Sequence, residues 1–409
     1  MKKIGIILLL PLSLFSQNFN NSVGISSNFN YESNSLNLKT INQILFEGFI
    51  NDSMKNKWIE NTYNSNTLYT EIKNSVKFTH NFSNKYFDFE VIDMNIINLS
   101  YTKDLIKILL NGNFNYQNES LNFSNSTLRA DRYQQFKLTY GKKKEKSSFS
   151  TSVSYIKGNH HISYNISRGN LYTGSYGQYI DLEYDLNTFI TDTSNFDYFA
   201  HNGNGLAFDI YSRINLKKYE LEISLKDLGF IMWNSNSVIL ANDSNFNFQG
   251  IEIENIYDFN DSIINESNLI DNIKKSNNSS FKSYIPATFK ISISGKTDKS
   301  YLNSFNLGMI LKWQPYMDNT KLSFQKIQQG LEESNYKPLF FANTVIDNIT
   351  YKVLPSISYG GYSENTNVGL AFSTGKRISL LVGTYHIESI FKHHNTTELS
   401  FYVNLNCKF

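Results

Sequence analysis

The sharpest polar constellation in the chain is Asp181, Glu183 and Asp185. Spaced two apart on a strand, these acids share one face, opposite Ile180, Leu182, Tyr184 and Leu186. Such a ladder, facing the lumen of a barrel, could bind a cation or set the selectivity of a pore. An ordinary wet lumen wall, neutralised by bases such as Lys290, would carry the same pattern. The histidines include two adjacent pairs, His160-His161 and His393-His394. Neighbours on a strand point to opposite faces, so neither pair makes a two-ligand metal site alone. Gly203-Asn204-Gly205 lacks the third glycine and following helix of a phosphate loop and reads as a turn. There is no serine-centred nucleophile elbow and no zinc-protease helix. With no nucleophile-and-base arrangement visible, an enzyme is the least favoured class, and neither a cofactor nor a metal is expected. Cys407, the single cysteine, excludes an internal disulfide and reads as a small apolar side chain. A net charge of +2 gives no argument for nucleic acid.

The ends of the chain say where those residues are held. Lys2 and Lys3 precede an apolar run from Ile4 to Phe15 that closes on small residues by Gln17. This is the pattern of a secretory leader over residues 1–17. The run is shorter than the roughly 20 apolar residues that a spanning helix needs. At the other end, Leu399, Phe401, Val403, Leu405, Cys407 and Phe409 fall on one face of a strand. Ser400, Asn404, Asn406 and Lys408 fall on the other. Phe401, Val403, Leu405 and the terminal Phe409 resemble the signal by which barrel-assembly machinery recognises outer-membrane barrels. An exported chain without a helical anchor is either soluble or a closed barrel, the other structure that satisfies its backbone in lipid.

Composition and periodicity favour the barrel. The chain holds 27 Tyr and 31 Phe but only 5 Pro in 409 residues, and aromatics suit strands and membrane interfaces. Alternation recurs, as in Phe149-Thr151-Val153-Tyr155 against Ser150-Ser152-Ser154, and Tyr219-Leu221-Ile223-Leu225 against Glu220-Glu222-Ser224-Lys226. Backwards from Phe409, strands are expected near 398–409, 378–386, 366–376, 351–360, 338–347, 301–313, 284–295 and 218–229. They continue near 205–216, 178–187, 160–168, 147–157, 132–141, 86–100 and 70–81, with 22–31 as a further candidate. If Phe409 is periplasmic, alternate connections are short and fall inside, while 101–131, 188–204, 230–283 and 314–337 fall outside. That asymmetry is the rule for bacterial barrels. The expected architecture is therefore all-β, a transmembrane antiparallel barrel of about 14–16 strands filling residues 18–409. A few short helices would plug or cap it: one within 38–60, one at 102–110 capped by Thr102 and ended by Gly112, and a weak one at 262–275. Tyr101, Tyr116, Tyr133, Tyr140, Trp233, Trp313, Tyr359 and Tyr362 sit near strand ends, where interfacial girdles place aromatics.

Several stretches also carry a family resemblance. These are Ile166 to Thr173, Gly203 to Asp209, Leu225 to Asn234, Gly250-Ile251-Glu252, Ile285 to Thr288 and Thr102 to Leu105. With several of these motifs in the same order, the chain resembles an uncharacterised family of Bacteroidota outer-membrane proteins, similar in outline to the FadL-like hydrophobe transporters. The resemblance implies a barrel and carries no site residues. Two functions follow as expectations: a channel or transporter for a small or hydrophobic molecule, or a non-transporting accessory barrel that docks a partner protein. Outer-membrane lipid is the expected surrounding in either case.

Overall fold

The computed structural model describes residues 20–44, 48, 50–248, 276–296, 304–315, 324–348, 350–392 and 396–409. The expected leader, the weak helix at 262–275, Gly250-Ile251-Glu252 and the His393-His394 pair lie outside the described residues. In chain order the strands are β1 (Asn21–Ser33), β2 (Asn66–Phe82), β3 (Lys85–Tyr101), β4 (Ser120–Asn122), β5 (Ser126–Lys144), β6 (Ser147–Thr173), β7 (Ile180–Ile190), β8 (Gly203–Leu216) and β9 (Tyr219–Trp233). There follow β10 (Val238–Phe248), β11 (Ser276–Asn278), β12 (Lys282–Tyr284), β13 (Ala287–Lys296), β14 (Ser304–Trp313), β15 (Lys337–Asp347), β16 (Tyr351–Gly361), β17 (Asn365–Thr374), β18 (Ile378–Thr384) and β19 (Glu398–Lys408).

Fourteen of these close a ring by antiparallel pairing: β1, β2, β3, β5, β6, β8, β9, β13, β14, β15, β16, β17, β18 and β19, with β19 paired back to β1. The seam is complete to its end, where Asn21 and Phe409 exchange two backbone hydrogen bonds of 3.0 and 2.9 Å. Closure leaves the wall no free edge, which is what a sheet in lipid requires. The remaining strands among those described, β4, β7, β10, β11 and β12, extend the sheet at one end.

Two of the expected wall strands are corrected. The segments 147–157 and 160–168 are one strand, the 27-residue β6. Its inner half pairs with β5 and β8, and its outer half continues past the ring to meet β4 and β7. A bulge at Asn159, between the pairs Arg132↔His160 and Tyr133↔Gly158, breaks the alternation without ending the strand. The segment 178–187 is β7, which pairs with β6 and β10 outside the ring. These two extra segments cancel in parity, so the sidedness expected elsewhere survives. The connection 169–177, assigned inside, lies at the long-loop end.

The outward face is apolar where lipid would contact it. Phe136 and Leu138 on β5, Phe149, Val153 and Tyr155 on β6, and Leu206 and Phe208 on β8 are exposed, with Leu138 at 63% and Val153 at 58%. Their inward neighbours Gln135, Lys137, Ser150, Ser152 and Ser154 are buried. This is the inverted pattern of a membrane barrel, apolar outside and polar within. Short turns such as 83–84 and 217–218 mark one end of the ring, and the longer connections gather at the other. Helices sit at the other end: α1 (Leu38–Asn42), α2 (Asp52–Asn61), α3 (Lys103–Asn111), α4 (Phe324–Glu333) and α5 (Glu388–Lys392). The expected helix within 38–60 is two, capped by Asn37 and Asn51. α3 starts where Thr102 Oγ1 accepts from Leu105 N at 3.1 Å and ends at Gly112, whose φ of +70° suits glycine.

Candidate functional site

The inward face of the ring encloses a cavity of about 610 Å³ towards the short-turn end, lined by Lys73, Lys77, Asp88, Lys137, Asp209 and Asp227 among others. A second space of about 160 Å³ continues it towards the long-loop end, between Glu71, Tyr133 and Lys312. Lys73, Lys226 and Asp227 line both, so they form the throat between them.

A local break in strand β9 builds that throat. Alternation should send Lys226 and Asp227 to opposite faces. Between the pairs Phe208↔Leu228 and Ile210↔Leu225 the register slips, and Asp227 takes a left-handed φ of +58°. Both side chains therefore reach the lumen. The conformation costs about 1–2 kcal/mol for a residue with a Cβ, and Asp is among the few types that tolerate it. Three contacts hold it. Asp227 N donates to Asp209 Oδ1 at 2.7 Å, and Lys137 Nζ bridges Asp209 Oδ2 at 2.6 Å and Asp227 Oδ1 at 3.0 Å. Gln135 Nε2 adds a bond to Asp227 Oδ1 at 2.9 Å.

Other charges of the lumen are also matched. Lys77 pairs with Asp88 at 2.7 Å, and Lys312 lies 3.8 Å from Glu71 and donates to Tyr69 Oη at 2.9 Å. Lys290 meets Glu222 on the adjoining strand at 2.9 Å, not the acidic ladder expected to face it. Lys73 and Lys226, at the throat itself, have no ion pair among the described residues. Two ammonium groups facing one constriction, where the Asp227 carboxylate is already held by Lys137, favour an anion there, in a space where charges are screened less than in bulk water.

Above the second space the lumen turns dry. Tyr69, Met94, Ile96, Tyr133, Ile156, Ile231, Trp233, Phe281, Ile285 and Tyr362 pack into one buried apolar cluster. Met94, Ile96 and Tyr133 are both its floor and the roof of the cavity. The cluster reaches across the ring, since Tyr69 of β2 stacks on Tyr362 of the β16–β17 turn with ring centroids 3.8 Å apart. Trp233 is 2% exposed and still places its Nε1–H, 2.8 Å from Ser283 Oγ. Tyr101, Tyr133, Trp233 and Tyr362 were expected in an interfacial girdle and are instead buried inside. Tyr133 and Trp233 sit at lumen-facing positions, whereas Tyr140 and Tyr359 are exposed on the outer face.

Asp181, Glu183 and Asp185 lie on β7, outside the closed ring. The correction follows from the course of β6, whose outer half carries β7 beyond the wall. Asp181 accepts from Asn247 and Asp185 from Ser167, while Glu183 is exposed. Phe401, Val403 and Leu405 share the outward face of β19, with Phe401 and Leu405 exposed and Val403 partly so, and Phe409, the residue after the strand, is exposed as well. His160 and His161 point apart, the first against Phe196 and the second, buried, 2.6 Å from Asp131. The throat residues were missed because each is an ordinary polar position of a wall strand. One signal was present: the apolar series Tyr219, Leu221, Ile223, Leu225 resumes at Leu228, Phe230, Met232, slipping by one residue at Lys226-Asp227.

Residues 6–384 match the model of a family of unknown function, DUF5723, and the chain belongs to that family. No curated protein matches it in sequence. Among solved structures it is similar to the toluene transporter TbuX of Ralstonia pickettii, at 8% identity and a TM-score of 0.42 over 96% of this chain and 90% of that one. The P. putida toluene transporter TodX gives 7% and 0.42 over 95% and 90%. A Pseudomonas aeruginosa FadL homologue gives 6% and 0.41 over 95% and 89%.

Proposed function

We propose that this DUF5723 barrel is an outer-membrane conduit for a small, polar, anionic solute, closed towards the outside by the apolar cluster around Trp233. The observation that carries the reading is the throat, where Lys73 and Lys226 line both cavities and no described carboxylate pairs with either. The space below could hold a small solute, since ligand sites commonly measure about 300–1,000 Å³. Its charged lining favours a polar solute over a hydrophobe, which would lose the hydration of those groups and replace it with nothing. The test is liposome swelling with isosmotic small organic anions against neutral sugars of equal size. Faster entry of the anions, lost when Lys73→Glu and Lys226→Glu are combined, is the expected result. Equal rates for both solute classes in the wild type would refute the anionic preference.

A second reading keeps the barrel as a docking platform. It is favoured by exposed apolar residues on the long-loop side: Leu109 and Phe114 after β3, Phe196, Tyr198 and Phe199 after β7, and Phe391 on α5. On that reading the dry cluster is a permanent seal and the swelling assay shows no entry of either class. In both readings β19, with Phe401, Val403 and Leu405 outward and Phe409 exposed just after it, is the strand offered to the assembly machinery, and lipid covers the apolar belt.

A further inference from the structure

Four side chains converge at the long-loop rim, away from the throat. Asn367 comes from β17, His386 from the turn after β18, Glu388 from the first position of α5, and Glu398 from the first position of β19. The ligand atoms of His386, Glu388 and Glu398 lie within 4.8 Å of one another. The turn that presents His386 and leads into α5 is pinned: Ile387 N donates to Val368 O at 2.8 Å and His386 N to Thr384 Oγ1 at 3.0 Å. Three of the four are almost wholly buried, with Asn367 at 2%, His386 at 3% and Glu398 at 4% exposure.

The group is short of positive charge. Glu398 is paired in register with Glu32 on β1, so like charges face each other across the closing seam. Among the side chains described, which do not include that of Lys392, no lysine or arginine pairs with Glu32, Glu388 or Glu398; Asn365 Nδ2 donates to Glu398 Oε1 at 3.2 Å, and His386 Nδ1 lies 3.7 Å from Glu398 Oε2. That last separation is too long for a hydrogen bond. His386 Nε2 and Glu388 Oε2 are buried without any hydrogen-bond partner. Buried carboxylates are retained when they are paired or when they coordinate metals.

We propose that His386 Nδ1, Glu388, Glu398 and the amide oxygen of Asn367 form a site for one divalent transition-metal ion. One imidazole with oxygen donors suits zinc or manganese better than calcium, which takes oxygen alone. Contracting the group around an ion, with ligand bonds of about 2.0–2.2 Å, needs only small side-chain shifts. Asn367 supplies the empty form. Turned with its NH2 inward, its amide donates to Glu398 Oε2 at 2.5 Å, Glu388 Oε1 at 3.0 Å and His386 Nδ1 at 3.3 Å. Turned over, it offers its oxygen to the ion instead. Bound there, the ion ties β17, the β18–β19 turn and β19 together beside the seam with β1.

The experiment uses the full-length protein extracted in detergent, stripped with a chelator and titrated with Zn²⁺ alone, with metal content measured after gel filtration. One equivalent of zinc per chain and a raised thermal midpoint are expected. His386→Ala should lower affinity at least 100-fold. Glu388→Gln, which keeps size and shape, should weaken binding while leaving the barrel's heat-modifiable mobility intact. Asn367→Asp should tighten binding, because a carboxylate replaces a neutral ligand. No stoichiometric binding by the wild type would overturn the proposal. So would unchanged affinity in His386→Ala and Glu388→Gln, or loss only when His393 and His394 are replaced.

Discussion

Lys226 and Asp227 are sequence neighbours that face the same space, and a single backbone dihedral makes that possible. If the left-handed conformation at Asp227 is held by Asp209 and Lys137, its cost and its contacts separate by substitution. Asp227→Ala loses the contacts and keeps the strain, and should lower unfolding stability by about 1–3 kcal/mol. Asp227→Gly loses the same contacts but relieves the strain, and should recover about 1 kcal/mol of that loss. Denaturant midpoints in detergent read both. At this scale the sequence was legible where a residue acts through its immediate neighbours: Thr102 caps α3, and Phe409 follows an outward apolar row. It was opaque where a role depends on which strand joins the ring. Asp181, Glu183 and Asp185 look like a lumen ladder until the course of β6 removes their strand from the wall.

Elements divide by the environment of each face. On β5, Leu138 is exposed on the outer face of the ring and Thr139 lines the lumen. Leu138→Arg should therefore destabilise the barrel by about 2–4 kcal/mol at mid-depth, whereas Thr139→Arg should cost much less. Folding titrations into lipid vesicles compare the two, and equal penalties would contradict the facing assigned here. β19 closes the ring against β1, and its apolar row is the part an assembly machine could read before closure. Deleting Phe409 should reduce the amount of folded barrel in the outer membrane, and an unchanged level would remove the assembly role from that residue. Most wall strands were readable because period-two alternation runs through most of their length, and it slips in β6 at Asn159 and in β9 at Lys226-Asp227. Alternation does not say whether a strand is interrupted or only bulged. The bulge at Asn159 imitates an end, so β6 reads as two strands and β7 as a member of the wall.

At the scale of the molecule, the lumen is lined by charged and polar groups at one end and by an apolar cluster at the other. The outer-membrane barrel architecture follows from closure and from the inverted faces, both largely present in the pattern of residues. The dry cluster was not, because Tyr133 and Trp233 carry the same signature at a strand end whether they face lipid or the lumen. If that cluster is a closed gate over an anion-favouring throat, opening it should produce a pore. The direct test is single-channel recording in planar bilayers of the wild type and of Trp233→Ala combined with Phe281→Ala, each first shown to keep heat-modifiable barrel mobility. The wild type should be closed for most of the recording, and the variant should conduct with anions preferred over cations. A folded variant that stays silent, or one that conducts with cations preferred, would contradict the account.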